Sequence, residues 1–114
     1  MREQRSVPDP PSIPDLRSPR RIHVVGVGGS GMSAIAAVLA TMGHQVSGSD
    51  LRLSETLERL RGLGVAASVG HDPEKAATAD LVAVSTAIPG DDPDVAAASA
   101  QAVPVYRRSQ VLAA

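Results

Sequence analysis

The chain has 114 residues, 43% of them hydrophobic and 20% charged, with a formal net charge of -1. That length holds one compact core and not two ordinary domains, and the balanced charge excludes a general attraction for nucleic acid or for an anionic membrane, so any phosphate site must be local. The absence of cysteine excludes disulfides, thiolate zinc sites and cysteine nucleophiles, and Tyr106 as the one aromatic residue excludes a base-stacking platform.

No apolar run approaches the ~20 residues that span a bilayer. Met1-Arg2-Glu3-Gln4-Arg5 leads into prolines rather than into the apolar segment of a signal peptide. A soluble cytoplasmic protein with no nucleic-acid or membrane partner is expected. Residues 1–20 carry Pro8, Pro10, Pro11, Pro14 and Pro19 among scattered charges. Such a stretch buries too little apolar surface to offset its ordering, and it is expected to be a disordered leader.

From Ile22 the pattern changes to Ile22-His23-Val24-Val25-Gly26-Val27, a β-branched run suited to a buried parallel strand. A glycine-rich turn follows, and then Met32, Ile35, Ala36, Leu39 and Met42 recur at helical spacing up to Gly43. Gln45 to Gly48 predicts a second strand ending at Ser49-Asp50. Ser54 is placed to cap a helix that turns Leu57, Leu60 and Leu63 inward and stops at Gly62 and Gly64. Val65 to Val69 and Leu81 to Ser85 predict two more strands. Asp92-Pro93 pairs an N-cap residue with proline at the first helical position and opens a helix over Val95 to Ala102. Pro104-Val105-Tyr106 reads as a brief fifth strand, and Ser109 to Ala114 as the start of a helix. Strands alternating with helices at this spacing predict an α/β, Rossmann-like open parallel sheet of about five strands over residues 21–114, with helices on both faces.

The turn Gly26-Val27-Gly28-Gly29-Ser30-Gly31 lies between a strand and a helix, and Asp50 follows at the end of the next strand. That context, more than the glycines alone, matches the dinucleotide-type fingerprint. Gly26 would permit the tight turn, Gly28 would let backbone approach a diphosphate, and Gly31 would let helix and strand pack closely. Gly29 adds another amide free of a side chain. Main-chain N–H groups and the positive helix end would hold the anion without a lysine. Asp50 is placed either to accept hydrogen bonds from a ribose diol or to cap the turn before Ser54. Ser30 and Ser33 either donate to phosphate or satisfy the first helical amides, with capping the expected job of Ser33, and Met32 reads as core. No G-x-x-x-x-G-K-[ST] occurs, so phosphoryl transfer is not expected of this segment. His23, His44 and His71 lie in separate elements and suggest no histidine metal cluster.

The stretch from His23 to Asp50, HVVGVGGSGMSAIAAVLATMGHQVSGSD, closely resembles the start of the Mur ligase family. The likeness continues through Leu53-Ser54-Glu55, Gly70-His71-Asp72, Ser85-Thr86-Ala87-Ile88 and Arg108-Ser109-Gln110-Val111-Leu112, in order, and so covers about residues 21–114. It implies an enzyme of three domains. The first binds the UDP part of UDP-N-acetylmuramate, the second binds ATP and Mg²⁺, and the third binds the amino acid. ATP activates the lactyl carboxylate as an acyl phosphate, and the amine of L-alanine attacks it. This chain matches only the first domain, and is expected to bind the UDP-sugar, to hold no cofactor of its own and not to ligate.

Carried over by position, the resemblance implies Gly28, Gly29, Ser30 and Gly31 as the diphosphate loop, Asp50 at the uridine ribose, and Met32 and Ser33 among the residues that meet the UDP-sugar. His71, Ser85, Thr86 and Ala87 would stand at strand ends facing the same crevice. Arg108 is either a site residue or a surface charge at a helix start. Thr86 departs from the family's more common serine, and the leader has no family counterpart. Leu51-Arg52-Leu53-Ser54-Glu55 stands where the tripeptide-recycling branch has a tyrosine-proline-rich stretch, which favours the alanine-adding branch. A nicotinamide-dinucleotide module is the rival of another class, since Asp50 would serve an adenosine ribose equally well. A non-catalytic regulatory or interaction domain that kept the fold but lost the chemistry is a third reading.

Overall fold

A computed structural model describes residues 13–114. The first twelve residues of the expected leader lie outside the described residues. Within the remainder of that segment Pro14 is buried, Leu16 packs against the core, and the Arg20 amide donates to His44 Nδ1 at 3.0 Å. Contact with the domain therefore begins before residue 21.

Five strands, β1 (Arg21–Val25), β2 (Gln45–Asp50), β3 (Ala66–Val69), β4 (Leu81–Val84) and β5 (Val105–Arg107), form one sheet in the order β3-β2-β1-β4-β5. Every pairing is parallel. The helices are α1 (Ser30–Thr41), α2 (Glu55–Gly62), α3 (Pro73–Thr78), α4 (Pro93–Ala100) and α5 (Arg108–Leu112). Because side chains alternate across a strand, each strand feeds two cores. Ile22 and Val24 of β1 and Leu81 and Ala83 of β4 pack with Met32, Ile35, Ala36 and Leu39 of α1, Leu57 and Leu60 of α2, and Val111 of α5. Val25 and Val82 face the other way, against Ala76 of α3 and Ala98 of α4.

The expected alternation is thus present, with local differences. Helix α3 was not predicted, although Asp72-Pro73 carries the same start signal as Asp92-Pro93; its six residues are too few to show a helical apolar period. Leu63 is exposed rather than inward, because α2 ends at Gly62 and Leu63 caps it. The close approach expected of Gly31 to a strand is to the Arg108 side chain, 3.1 Å from where a Cβ would be, and the tightest approach is at Gly48, where a Cβ would lie 2.7 Å from the side chain of the fully buried Val27. Gly48 is what lets the turn after β1 settle onto β2.

Gly48→Ala should therefore lower stability by about 1–3 kcal/mol, the usual cost of overpacking, or roughly 4–8 °C in melting temperature per kcal/mol for a domain of this size. Gly62→Ala, at a helical position with nothing within 4 Å of the added carbon, should leave the melting temperature unchanged or raise it. Equal melting of the Gly48 variant and the parent chain would show that the approach of Val27 is not constrained.

Candidate ligand-binding site

Strand order reverses between β1 and β4, and in open parallel sheets ligands bind beyond the carboxyl ends of strands at such a point. A cleft of about 660 Å³ opens there, lined among others by Gly26, Asp50, His71, Ala87, Ile88 and Asp92. A second hollow, about 410 Å³, lies at the opposite ends of the strands around Arg21, His44 and Gln45, away from the glycine turn.

The turn is built by hydrogen bonds to β2. Gly26 adopts φ +75°, a left-handed conformation that favours glycine, and the Ser49 carbonyl accepts from both Gly26 N (2.8 Å) and Val27 N (3.0 Å). Asp50 closes the arrangement, with Oδ2 accepting from Gly28 N at 2.9 Å and Oδ1 from Arg52 N at 3.1 Å. A Cβ on Gly28 would stand 2.8 Å from that Oδ2, so Gly28 admits a carboxylate as well as a bare backbone. Asp50 thus braces the glycine turn, closes the turn before Ser54 through the Arg52 amide, and lies on the cleft wall.

Helix α1 begins at this turn without a side-chain cap, since its N-cap is Gly29. Ser54, Asp72 and Asp92 by contrast cap α2, α3 and α4. Ser33, expected to cap α1, instead donates from its hydroxyl to the Ser30 carbonyl at 3.0 Å. The Met32 side chain is buried in the core, as its spacing suggested, so only its main chain is left to meet a ligand. Arg108 stands over the same helix start, its guanidinium 3.1 Å from where a Gly31 Cβ would be. Uncapped amides, helix dipole and guanidinium together make this spot locally positive in an acidic chain. Ser30 is exposed there. Of the β4 loop, Ala87 lines the cleft, while Ser85 accepts from Ala87 N at 3.3 Å within the loop and Thr86 is exposed.

Beneath the cleft lies a polar group that the sequence reading missed. Asp94 of α4, fully buried, accepts at Oδ2 from Ser49 Oγ (2.6 Å) and meets His23 Nε2 (2.9 Å), and its Oδ1 accepts from Asp72 N (2.9 Å). The other ring nitrogen of His23 meets Ser47 Oγ at 2.8 Å. His23 and Ser47 are register partners, and Ser47 and Ser49, two apart, share a face of β2. That run of polar residues on one face of two strands was the available signal. His71 Nδ1 lies 3.5 Å from Asp92 Oδ1 and 3.6 Å from Asp94 Oδ1. The trio has the spacing of a cation site, yet both oxygens of Asp94 are already committed to hydrogen bonds and Asp92 Oδ2 caps α4.

Burial alone would raise the pKa of Asp94, but the hydrogen bonds from Ser49, His23 and the Asp72 amide hold it below the usual carboxylate value. A carboxylate with a folded-state pKa below its unfolded value of ~3.9 stabilises the fold above that pH, and the contribution is lost as pH falls through the folded value. Asp94→Asn should cost about 2–4 kcal/mol at neutral pH. The gap between variant and parent in denaturant melts should narrow as pH falls below ~4. A gap that is constant or widens with acid would contradict an ionised Asp94.

A family profile described as Mur ligase family, catalytic domain, matches residues 21–114. A UDP-N-acetylmuramate–L-alanine ligase of Rhodopseudomonas palustris is 52% identical over 101 residues, which cover 86% of this chain and 22% of that protein. The crystal structure of a UDP-N-acetylmuramate–alanine ligase from Thermotoga maritima shares 36% identity and a TM-score of 0.74, covering 79% of this chain and 21% of that one. That of a UDP-N-acetylmuramate:L-alanyl-gamma-D-glutamyl-meso-diaminopimelate ligase from Neisseria meningitides shares 25% identity and a TM-score of 0.72, covering 82% and 30%. The chain spans about a fifth of the length of the curated relatives it matches.

Proposed function

The chain belongs to the Mur ligase family, and from that premise we propose that residues 21–114 form the domain that binds the UDP moiety of UDP-N-acetylmuramate for an L-alanine-adding ligase of peptidoglycan synthesis. The observation that carries the reading is the joining of Asp50 to Gly28 at the lip of the switch-point cleft, beside an α1 start that has no side-chain cap. A diphosphate would take the free α1 amides and Arg108, and the uridine ribose would take Asp50, already at its rim. Gly29, Ser30, Gly31, Met32 and Ser33 contribute through the turn and first helical residues, and His71 and Ala87 through the walls. Ser85 and Thr86 reach the ligand only through the loop that carries Ala87.

The glycine turn has no lysine to reach a triphosphate, so ATP and Mg²⁺, with L-alanine, fall to the remaining four fifths of the relatives' length. By itself the domain is a binding module without ligase activity, working in the cytoplasm. Identity favours the alanine-adding branch over the tripeptide-adding one, 36% against 25%, whereas the folds barely separate them.

Thermal unfolding with added ligand tests this, because a ligand that prefers the native state stabilises it, by about 2.7 kcal/mol at a hundredfold excess over Kd. UDP-N-acetylmuramate and UDP should raise the melting temperature of the parent chain, NAD and ATP should not, and Asp50→Ala should abolish most of the shift. Stabilisation by NAD alone would replace the proposal with a dinucleotide module. In the same assay Arg108→Ala should weaken UDP by about 1–2 kcal/mol, the scale of one charge-assisted contact, and should scarcely alter melting without ligand. An unchanged UDP response would remove Arg108 from the site.

A further inference from the structure

Ser49 hydrogen-bonds both the glycine turn and the buried polar group. Its carbonyl holds the Gly26 and Val27 amides, and its hydroxyl donates to Asp94. The second oxygen of Asp94 holds the amide of Asp72, the residue after His71, and lies 3.6 Å from the His71 ring. Asp94 itself does not line the cleft; Ser49, His71 and Asp92 do. One buried carboxylate on α4 thus reaches both walls, through Ser49 to the turn and through Asp72 to His71.

We infer that Asp94 is a positioning residue for the ligand-binding end, setting the glycine turn through Ser49 and the His71 wall through Asp72. The inference rests on the proposed UDP site for its functional meaning, though not for its geometry. A carboxylate suits the task because it accepts from several donors at once and offers none, so each donor is pulled toward one fixed point. Carried on the first turn of a capped helix, that point is rigid. Ser47 provides the contrast: its hydroxyl meets His23 on the far side of the ring, whereas the Gly26 and Val27 amides donate to Ser49.

Three variants of the full chain separate positioning from mere stability: Ser49→Ala, Asp94→Asn and Ser47→Ala. UDP affinity is read by titration calorimetry, and amide hydrogen exchange is followed at Gly26 and Val27, with Val24 in the core of β1 as the reference. Ser49→Ala and Asp94→Asn should speed exchange at Gly26 and Val27 relative to Val24, and should raise the Kd for UDP about tenfold, the scale of losses when a supporting contact is removed. Ser47→Ala should lower the melting temperature while leaving the Kd and the relative exchange within about twofold, since it leaves the bonds of Asp94 to Ser49 and Asp72 in place. If Asp94→Asn does not fold, Ser49→Ala decides alone, as it cuts only the link to the turn. Unchanged relative exchange and Kd in Ser49→Ala would overturn the inference, as would an equal loss of UDP binding in Ser47→Ala. A parent chain that does not bind UDP would overturn the proposed function instead, and the exchange pattern, which needs no ligand, would still decide whether Asp94 sets the turn.

Discussion

An ionised carboxylate sealed between a parallel sheet and a helix is tolerable only if donors converge on it, and the placement of Asp94 organises this domain around that demand. His23 comes from β1, Ser49 from β2 and the Asp72 amide from the start of α3, while Asp94 itself rides on α4. Each donor fixes the position of the element that brings it. The second core has Val25, Ala76, Val82 and Ala98 buried, with Val84, Ile88, Val95, Val103 and Val105 half-buried against them, and the polar group adds directional specification to that apolar packing. Removing the carboxylate would leave its donors unpaired in a dry setting, which couples the elements that carry them.

The opposite face follows different physics. There Val27 drops into the space left by the missing side chain of Gly48, and a continuous apolar layer from α1, α2 and α5 covers the sheet. The glycine turn is caught between these two regimes, anchored below by Val27 and from β2 by the Ser49 carbonyl and the Asp50 carboxylate. A loop rich in glycine has much conformational freedom to lose. Three hydrogen bonds from consecutive residues of one strand remove it before any ligand arrives, so the site meets its ligand with part of the ordering cost already met by folding.

Electrostatically the site is local in the strict sense. A chain with net charge of -1 attracts no polyanion at a distance, yet the start of α1 combines uncapped amides with the Arg108 guanidinium. Asp50 and Asp92 line the cleft at the switch point, carboxylates that accept hydrogen bonds and do not attract phosphate.

By itself the sequence determined the alternation of strands and helices, the position of the glycine turn and Asp50 beyond the second strand, because these are written in short periods and caps that neighbouring residues decide. It also carried, from His23 to Leu112, enough ordered motif to indicate the family. Helix α3 escaped because six residues show no period, and which neighbour each glycine admits, Arg108 at Gly31 and Val27 at Gly48, depends on packing. The union of His23 with Asp94, 71 positions apart, and the placing of Arg108 against Gly31 belonged to tertiary structure alone. Both depend on the strand order β3-β2-β1-β4-β5 and on its parallel register, which bring distant residues to one end of the sheet. Local propensity acts over a turn or a strand and holds no information about which strand will lie beside which.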